Sequence, residues 1–202
     1  MPSTSQSSCQ CSYVFCEKTK PKETSWVYFL SNDWGIYRGW PYLSYVGDAI
    51  AVYESGHGFL RGSVDSYHSA MMFGDFFPNP GFESKLSVSI PLACFMEALG
   101  TFILVFVIFR LTEKPEQMDN LTPILIGLTV SLIICLVAPF TQAGLNPARD
   151  FGPRMVAYFA GWGKAAFPLG NYSFISVYML SPIFGGLGAM VLHKFFIKHS
   201  ES

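Results

Sequence analysis

Three long apolar runs constrain this chain more than anything else in its 202 residues. Residues 88–109 (VSIPLACFMEALGTFILVFVIF), 121–140 (LTPILIGLTVSLIICLVAPF) and 174–193 (FISVYMLSPIFGGLGAMVLH) each run for about the 20 residues a helix needs to cross the hydrocarbon of a bilayer. Hydrocarbon offers backbone N–H and C=O groups no water, so each run has to bond within itself as a helix. Gly185, Gly186, Gly188 and Ala189 in the third run let a neighbouring helix come close, as packing in lipid demands. The composition agrees: 50% of residues are hydrophobic and 13% charged, where soluble domains carry about 25% charged residues. With a net charge of −1, nothing points to nucleic acid or a polybasic lipid-binding surface.

Residues 1–46 have no counterpart in that pattern. The first 25 are polar, rich in Ser, Thr and Lys, lack the apolar stretch of a secretory signal, and read as disordered. Residues 26–46 are aromatic-rich but interrupted by Asp33, Gly35, Arg38 and Pro41, and are expected not to cross a bilayer as a regular helix. Trp and Tyr in such a stretch suit either the headgroup level or a packed loop. Residues 47–87 read as an outer loop, followed by helices at 88–110, 121–140 and 174–194.

Metal and enzymatic chemistry find little support. Cys9, Cys11 and Cys16 lack the second Cys/His pair of a zinc site, and His57, His68, His193 and His199 are scattered. Cys94 and Cys135 lie in apolar runs as small packing residues. There is no G-x-S-x-G, H-E-x-x-H, P-loop or dinucleotide fingerprint, so no enzyme, cofactor or metal is expected.

Between the second and third runs, Asn146 to about Phe159 is amphipathic and begins with Asn-Pro. Pro147 suits a first helical turn, where its missing N–H would be unpaired anyway. A helix over 146–160 is about 20 Å long, too short for a roughly 30 Å core, and so predicts a re-entrant half-helix. Its positive dipole end points to the bilayer midplane, with Arg149 one turn on along the same face as Asn146. Arg110 and Lys114 after the first run and Lys194 and Lys198 after the third fall on one side, which predicts a cytoplasmic C-terminus. Of the sequons at Asn120 and Asn171, only Asn171 then faces outward.

The segment Gly144-Leu145-Asn146-Pro147-Ala148-Arg149-Asp150-Phe151-Gly152-Pro153-Arg154, followed by Ala160-Gly161-Trp162-Gly163, resembles the second NPA box of the major intrinsic proteins. Asp150, Arg154, Pro182-Ile183 and the stretch from Asp48 through Arg61-Gly62-Ser63-Val64 are similar to the aquaglyceroporin branch. The resemblance implies an all-α membrane protein with three transmembrane helices and one re-entrant NPA half-helix, residues 47–202 forming the second repeat of an aquaporin-like fold. It implies that Asn146, Pro147, Ala148, Arg149 and Asp150 line a pore, and that Glu97 is a scaffold accepting backbone N–H bonds from the loop leading into the half-helix. A fixed Arg and a helix dipole exclude cations and protons while hydrogen-bonding neutral solutes, the logic of aquaporin-type pores in general.

Two filter positions depart from the branch: Ile134, where Gly is usual, and Ala143, where an aromatic is usual. They leave glycerol, water, urea and metalloid hydroxides all open as solutes. By resemblance the partners are such solutes, membrane lipid and further copies of the chain, usually in a tetramer. The family joins two inverted repeats, and only one NPA box occurs here. Three readings stand: an incomplete gene product, a half-channel completed by association, or a non-conducting structural or regulatory subunit of full-length channels.

Overall fold

The structure is a computed structural model describing residues 21–82, 84–112, 121–167 and 173–200. Cys9, Cys11, Cys16, Lys114 and both sequon asparagines lie outside the described residues.

Among the described residues three helices are long and apolar enough to cross a membrane: Ile90–Thr112, Thr122–Thr141 and Ile175–Phe196. The chain begins with helix α1 (Pro21–His57), a 3-10 turn (Val64–Ser66) and the short α2 (Tyr67–Ala70). Then come α3 (Ile90–Thr112), α4 (Thr122–Thr141) and the half-helix α5 (Pro147–Ala157). A wide π-type turn (Ile175–Leu180) leads into the last helix, α6 (Ser181–Ser200). α3 and α4 differ by at most two residues from the ranges 88–110 and 121–140, the range 174–194 is divided between the π-type turn and α6, and α5 passes into a π-type turn at Tyr158–Trp162.

One expectation needs correcting. Residues 21–57, divided above between an unassigned segment and an outer loop, form a single 37-residue helix with Pro41 inside it. A proline deletes one ladder bond and kinks a helix, but tertiary packing holds the helix on either side of it. Here the packing comes from α5. Gly39 lets the two helices nearly touch, since a Cβ there would stand 2.7 Å from Val156 Cγ2. Ile50, on the same helix, is buried with Phe73, Ala157 and Trp162.

The far ends of α1 and α5 are tied through polar groups. Trp162 Nε1 donates to Ser69 Oγ (2.8 Å), and Ser69 Oγ donates to Glu54 Oε1 (2.7 Å). Glu54 pairs with Arg61 at 2.9 Å, and the Arg61 guanidinium lies 4.1 Å over the Trp162 ring. The indole N–H and the carboxylate are thus both satisfied inside the fold, as burial requires. Gly161, at φ +108°, makes the bend that ends the half-helix.

On the other side, α3 packs along α6. The close approach rests on Gly185, where a Cβ would run into the backbone carbonyl of Ala98. A backbone oxygen cannot swing aside as a side chain can, so Gly185→Ala should cost about 2 kcal/mol or more despite alanine's better helix propensity. At Gly186 the nearest atom to an added Cβ is Val105 Cγ2 at 3.9 Å. Gly186→Ala should be neutral or slightly stabilising. Thermal unfolding of the two variants in one detergent compares them, and equal midpoints would remove Gly185 as the packing determinant.

Candidate pore-lining site at the half-helix

Glu97 lies two turns into α3 and is fully buried. Its carboxylate accepts from Thr141 Oγ1 (2.6 Å), the Gly144 N–H (2.9 Å) and the Leu145 N–H (2.7 Å). A buried carboxylate is costly unless its lone pairs are filled, and this one is filled by the loop between α4 and α5. The same loop takes a further bond from Thr101 Oγ1 to Leu145 O (3.1 Å). Tyr178 contributes one from its hydroxyl to Thr141 O (2.9 Å).

That loop has an unusual backbone. Gln142 (φ 64°), Ala143 (φ 64°) and Leu145 (φ 55°) all sit in the left-handed region without being glycine. Such residues cost of order 1 kcal/mol or more each and persist only where the surroundings overdetermine them. Here the surroundings are Glu97 on one side and Phe76 N–H donating to Gln142 Oε1 (2.6 Å) on the other. With the N–H groups of Gly144 and Leu145 drawn to Glu97, the carbonyls of Ala143 and Gly144 turn toward Arg149, whose Nη1 donates to them at 3.4 and 3.2 Å.

Asn146 then caps α5, its Oδ1 accepting from the Ala148 N–H at 3.0 Å. Pro147 and Ala148 are buried in the first turn. The Arg149 side chain is 56% exposed and its Nη1 makes a third bond, to Asp75 Oδ2 at 3.0 Å. It faces a cleft of about 530 Å³ lined by Gly39, Tyr42, Met72, Asp75 and Pro153 among others. Asn146 and Arg149 thus lie at the start of the half-helix, beside the loop carbonyls of Ala143 and Gly144.

Asp150 differs from the expectation of a pore-lining side chain. It is 2% exposed and faces inward. Arg154 Nε and Nη2 clasp its two oxygens at 3.0 and 2.7 Å, while its Oδ1 also accepts the Asp75 N–H at 2.6 Å. Arg154 is itself fully buried and donates further to Ala166 O and Asp75 O, both at 2.6 Å. The physical reason is spacing: residues four apart share a helix face, so Asp150 turns with Arg154 toward the core and away from Arg149. The planar fork matches a carboxylate in a way a lysine could not. Of the two filter positions, Ala143 is 4% exposed and offers only its carbonyl, whereas Ile134 stands 44% exposed on α4.

Sequence reading missed Asp75. The segment from Gly74 to Asn79 is laid across the site: a Cβ at Gly74 would meet the Arg154 guanidinium at 2.6 Å, and Asn79 Nδ2 donates to Ala138 O at 2.6 Å. Burial pushes the Asp75 carboxyl up to about 6, with Arg149 opposing the shift and Asp150 adding to it. No spacing rule links residue 75 to residue 149, and only Asp in an otherwise aromatic Gly-Asp-Phe-Phe run hinted at a role.

A family profile described as Major intrinsic protein matches residues 63–193. The propanediol uptake facilitator PduF of Citrobacter freundii is 33% identical over 159 residues, covering 77% of this chain and 56% of that protein. The glycerol uptake facilitator protein of Escherichia coli (strain K12) is 35% identical over 151 residues, covering 73% and 51%. The chain therefore spans little more than half the length of these relatives. The X-ray structure of the aquaglyceroporin from Plasmodium falciparum is similar with a TM-score of 0.68 and 18% identity, covering 93% of this chain and 69% of that one. At that identity the likeness concerns the fold.

The dependence of the loop on Glu97 is open to test. In Glu97→Gln one amide oxygen replaces two carboxylate oxygens, so at least one of the Gly144 and Leu145 N–H groups loses its acceptor. The cost should be about 1–3 kcal/mol, and larger for Glu97→Ala. Unfolding midpoints equal to the parent chain's in both variants would show that the loop holds its shape without the carboxylate.

Proposed function

The chain belongs to the major intrinsic protein family, and from that premise we propose that it lines one side of a passive transmembrane path for small neutral solutes. Glycerol and related polyols come first, with water and urea as further solutes. The relatives, a propanediol uptake facilitator and a glycerol uptake facilitator, support that solute class. The observation that carries the reading is the row formed by the Ala143 and Gly144 carbonyls, the capped start of α5 at Asn146, and the half-exposed Arg149 guanidinium. Acceptors and a cationic donor thus stand side by side there, able to meet the hydroxyls of one small solute. The positive charge and the positive end of the half-helix repel cations, while neutral hydroxyls exchange water bonds for these. The path needs a second wall, from another segment, copy or chain, and a membrane-embedded homo-oligomer is the arrangement we favour.

Light-scattering swelling of proteoliposomes in a glycerol gradient tests this. The full chain should speed glycerol-driven swelling over empty vesicles. Asn146→Asp keeps a helix cap but puts an anion at the dipole end, and should lower glycerol flux about 5-fold or more. Arg149→Ala should admit cations. Folded, inserted protein with no flux above empty vesicles would leave a non-conducting structural or regulatory subunit as the reading.

The orientation we propose puts Arg110 and Lys194 on the cytoplasmic side, with the C-terminus. Expression in a glycosylating membrane system should modify Asn171 and leave Asn120 untouched. Modification of Asn120 alone would invert the topology.

A further inference from the structure

Arg149 is held by a neighbour that titrates. Its Nη1 makes three bonds, to Ala143 O (3.4 Å), Gly144 O (3.2 Å) and Asp75 Oδ2 (3.0 Å), and the carboxylate bond is the shortest. It is also the only one of the three in which the acceptor carries a charge, so it is the strongest. Asp75 is delivered rigidly. Its N–H donates to Asp150 Oδ1 and its C=O accepts from Arg154 Nη2, both at 2.6 Å, so the buried Asp150–Arg154 pair fixes its backbone on both sides. Its side chain, 16% exposed, rests against Gly144, where a Cβ would stand 3.4 Å from Oδ2.

Resting on the channel reading above, we propose that Asp75 is a specificity-determining counter-ion, which when ionised draws Arg149 against the loop and opens the path, and when protonated releases the guanidinium into it.

The charges facing Asp75 decide the direction. On α5 they are Arg149, Asp150 and Arg154; from α3 comes Glu97, and from the π-type turn Tyr178. Across the cleft α1 presents Tyr42. Asp150 and Arg154 neutralise one another, and among the described side chains this leaves Arg149 as the cation paired with the Asp75 carboxylate. Burial holds the Asp75 carboxyl up at about 6, so it is ionised at neutral pH and protonates under mild acid. The sign for stability is opposite to that of an ordinary paired carboxylate. A raised value contributes stability that is present at low pH and lost as the pH rises through about 6. The ionised pair is therefore kept at some expense to the fold, as expected of a group that serves conduction more than stability.

The experiment uses the full chain in vesicles, with glycerol as the probe. Wild-type flux should fall about 3-fold or more between about pH 7.5 and about pH 5, since one unit below its pKa a group is about 90% protonated. Asp75→Asn should give low flux at both values, and Asp75→Glu should restore the pH dependence. At about pH 8 Asp75→Asn should unfold no earlier than wild type, a result that a purely structural Asp75 would not give. A wild-type flux that ignores pH, or an Asp75→Asn flux equal to wild type, would overturn the proposal.

Infrared difference titration of the Asp75 carboxyl, with the Asp75→Asn spectrum subtracted, needs no flux. The band should titrate near pH 6 and move to higher pH in Arg149→Ala, because Arg149 holds the value down. An unmoved band overturns the pairing. A moved band without flux upholds the pairing and counts against the channel reading alone.

Discussion

The structure turns on one carboxylate placed where carboxylates are expensive. Glu97 sits in the first half of a helix whose only other charged residue, Arg110, lies in its last turn, and a charge inside a span costs several kcal/mol unless it is answered. What answers it is the backbone of the loop before the half-helix, through the N–H groups of Gly144 and Leu145 and the hydroxyl of Thr141. The bargain is mutual. The loop contains three non-glycine residues in left-handed conformations, which it would relax without a fixed acceptor on one side. With its N–H groups facing α3, its carbonyls face the opposite way, toward Arg149. Peptide planarity makes this unavoidable, since N–H and C=O of one peptide unit point in opposite directions.

A second buried charge centre does the same work on the other flank of the loop. Arg154 and Asp150 neutralise each other inside the protein, and their surplus donors and acceptors reach the backbone at Asp75 and Ala166. Aromatic rings close around the guanidinium, Phe174 at 4.9 Å and Phe76 at 5.1 Å from its carbon. Breaking such a pair by removing one partner costs roughly 3–5 kcal/mol, because the other charge is then stranded. Its geometry explains why the half-helix carries two arginines with different fates. Arg149 is one residue before Asp150 and turns outward; Arg154 is four residues after it and turns in.

How much of this was legible depended on the range of the interaction. The three spans were readable because apolar length is a local property, and the half-helix because Asn146-Pro147 is a local start signal. Arg149 and Glu97 were legible through the resemblance of the surrounding motif. The helix from Pro21 to His57 was not, because its stability comes from a surface of α5 more than a hundred residues away, against which Gly39 fits at Val156. Asp150 was misread for a related reason. The motif told which residues belong together, while the identity of the partner at i+4 decided which way the side chain points. Asp75 was invisible, since the pairing with Arg149 spans 74 positions in the chain.

The division between the two charge centres bears on how selectivity can vary in such a site. Glu97 and the Asp150–Arg154 pair are enclosed and bonded to backbone, so altering either unsettles the loop itself. Arg149 is exposed on one side and its strongest partner comes from a separate segment, Gly74 to Asn79, whose anchors, the backbone N–H and C=O of residue 75 and the Asn79 side chain, do not depend on the identity of the side chain at 75. A substitution at 75 therefore changes the charge beside the guanidinium while the frame that holds both stays in place. The loop fixes where the cation stands; residue 75 sets how tightly it is held there. With the adjustable charge on a separate segment, the hold on Arg149 can change without reopening the more costly problem of burying Glu97.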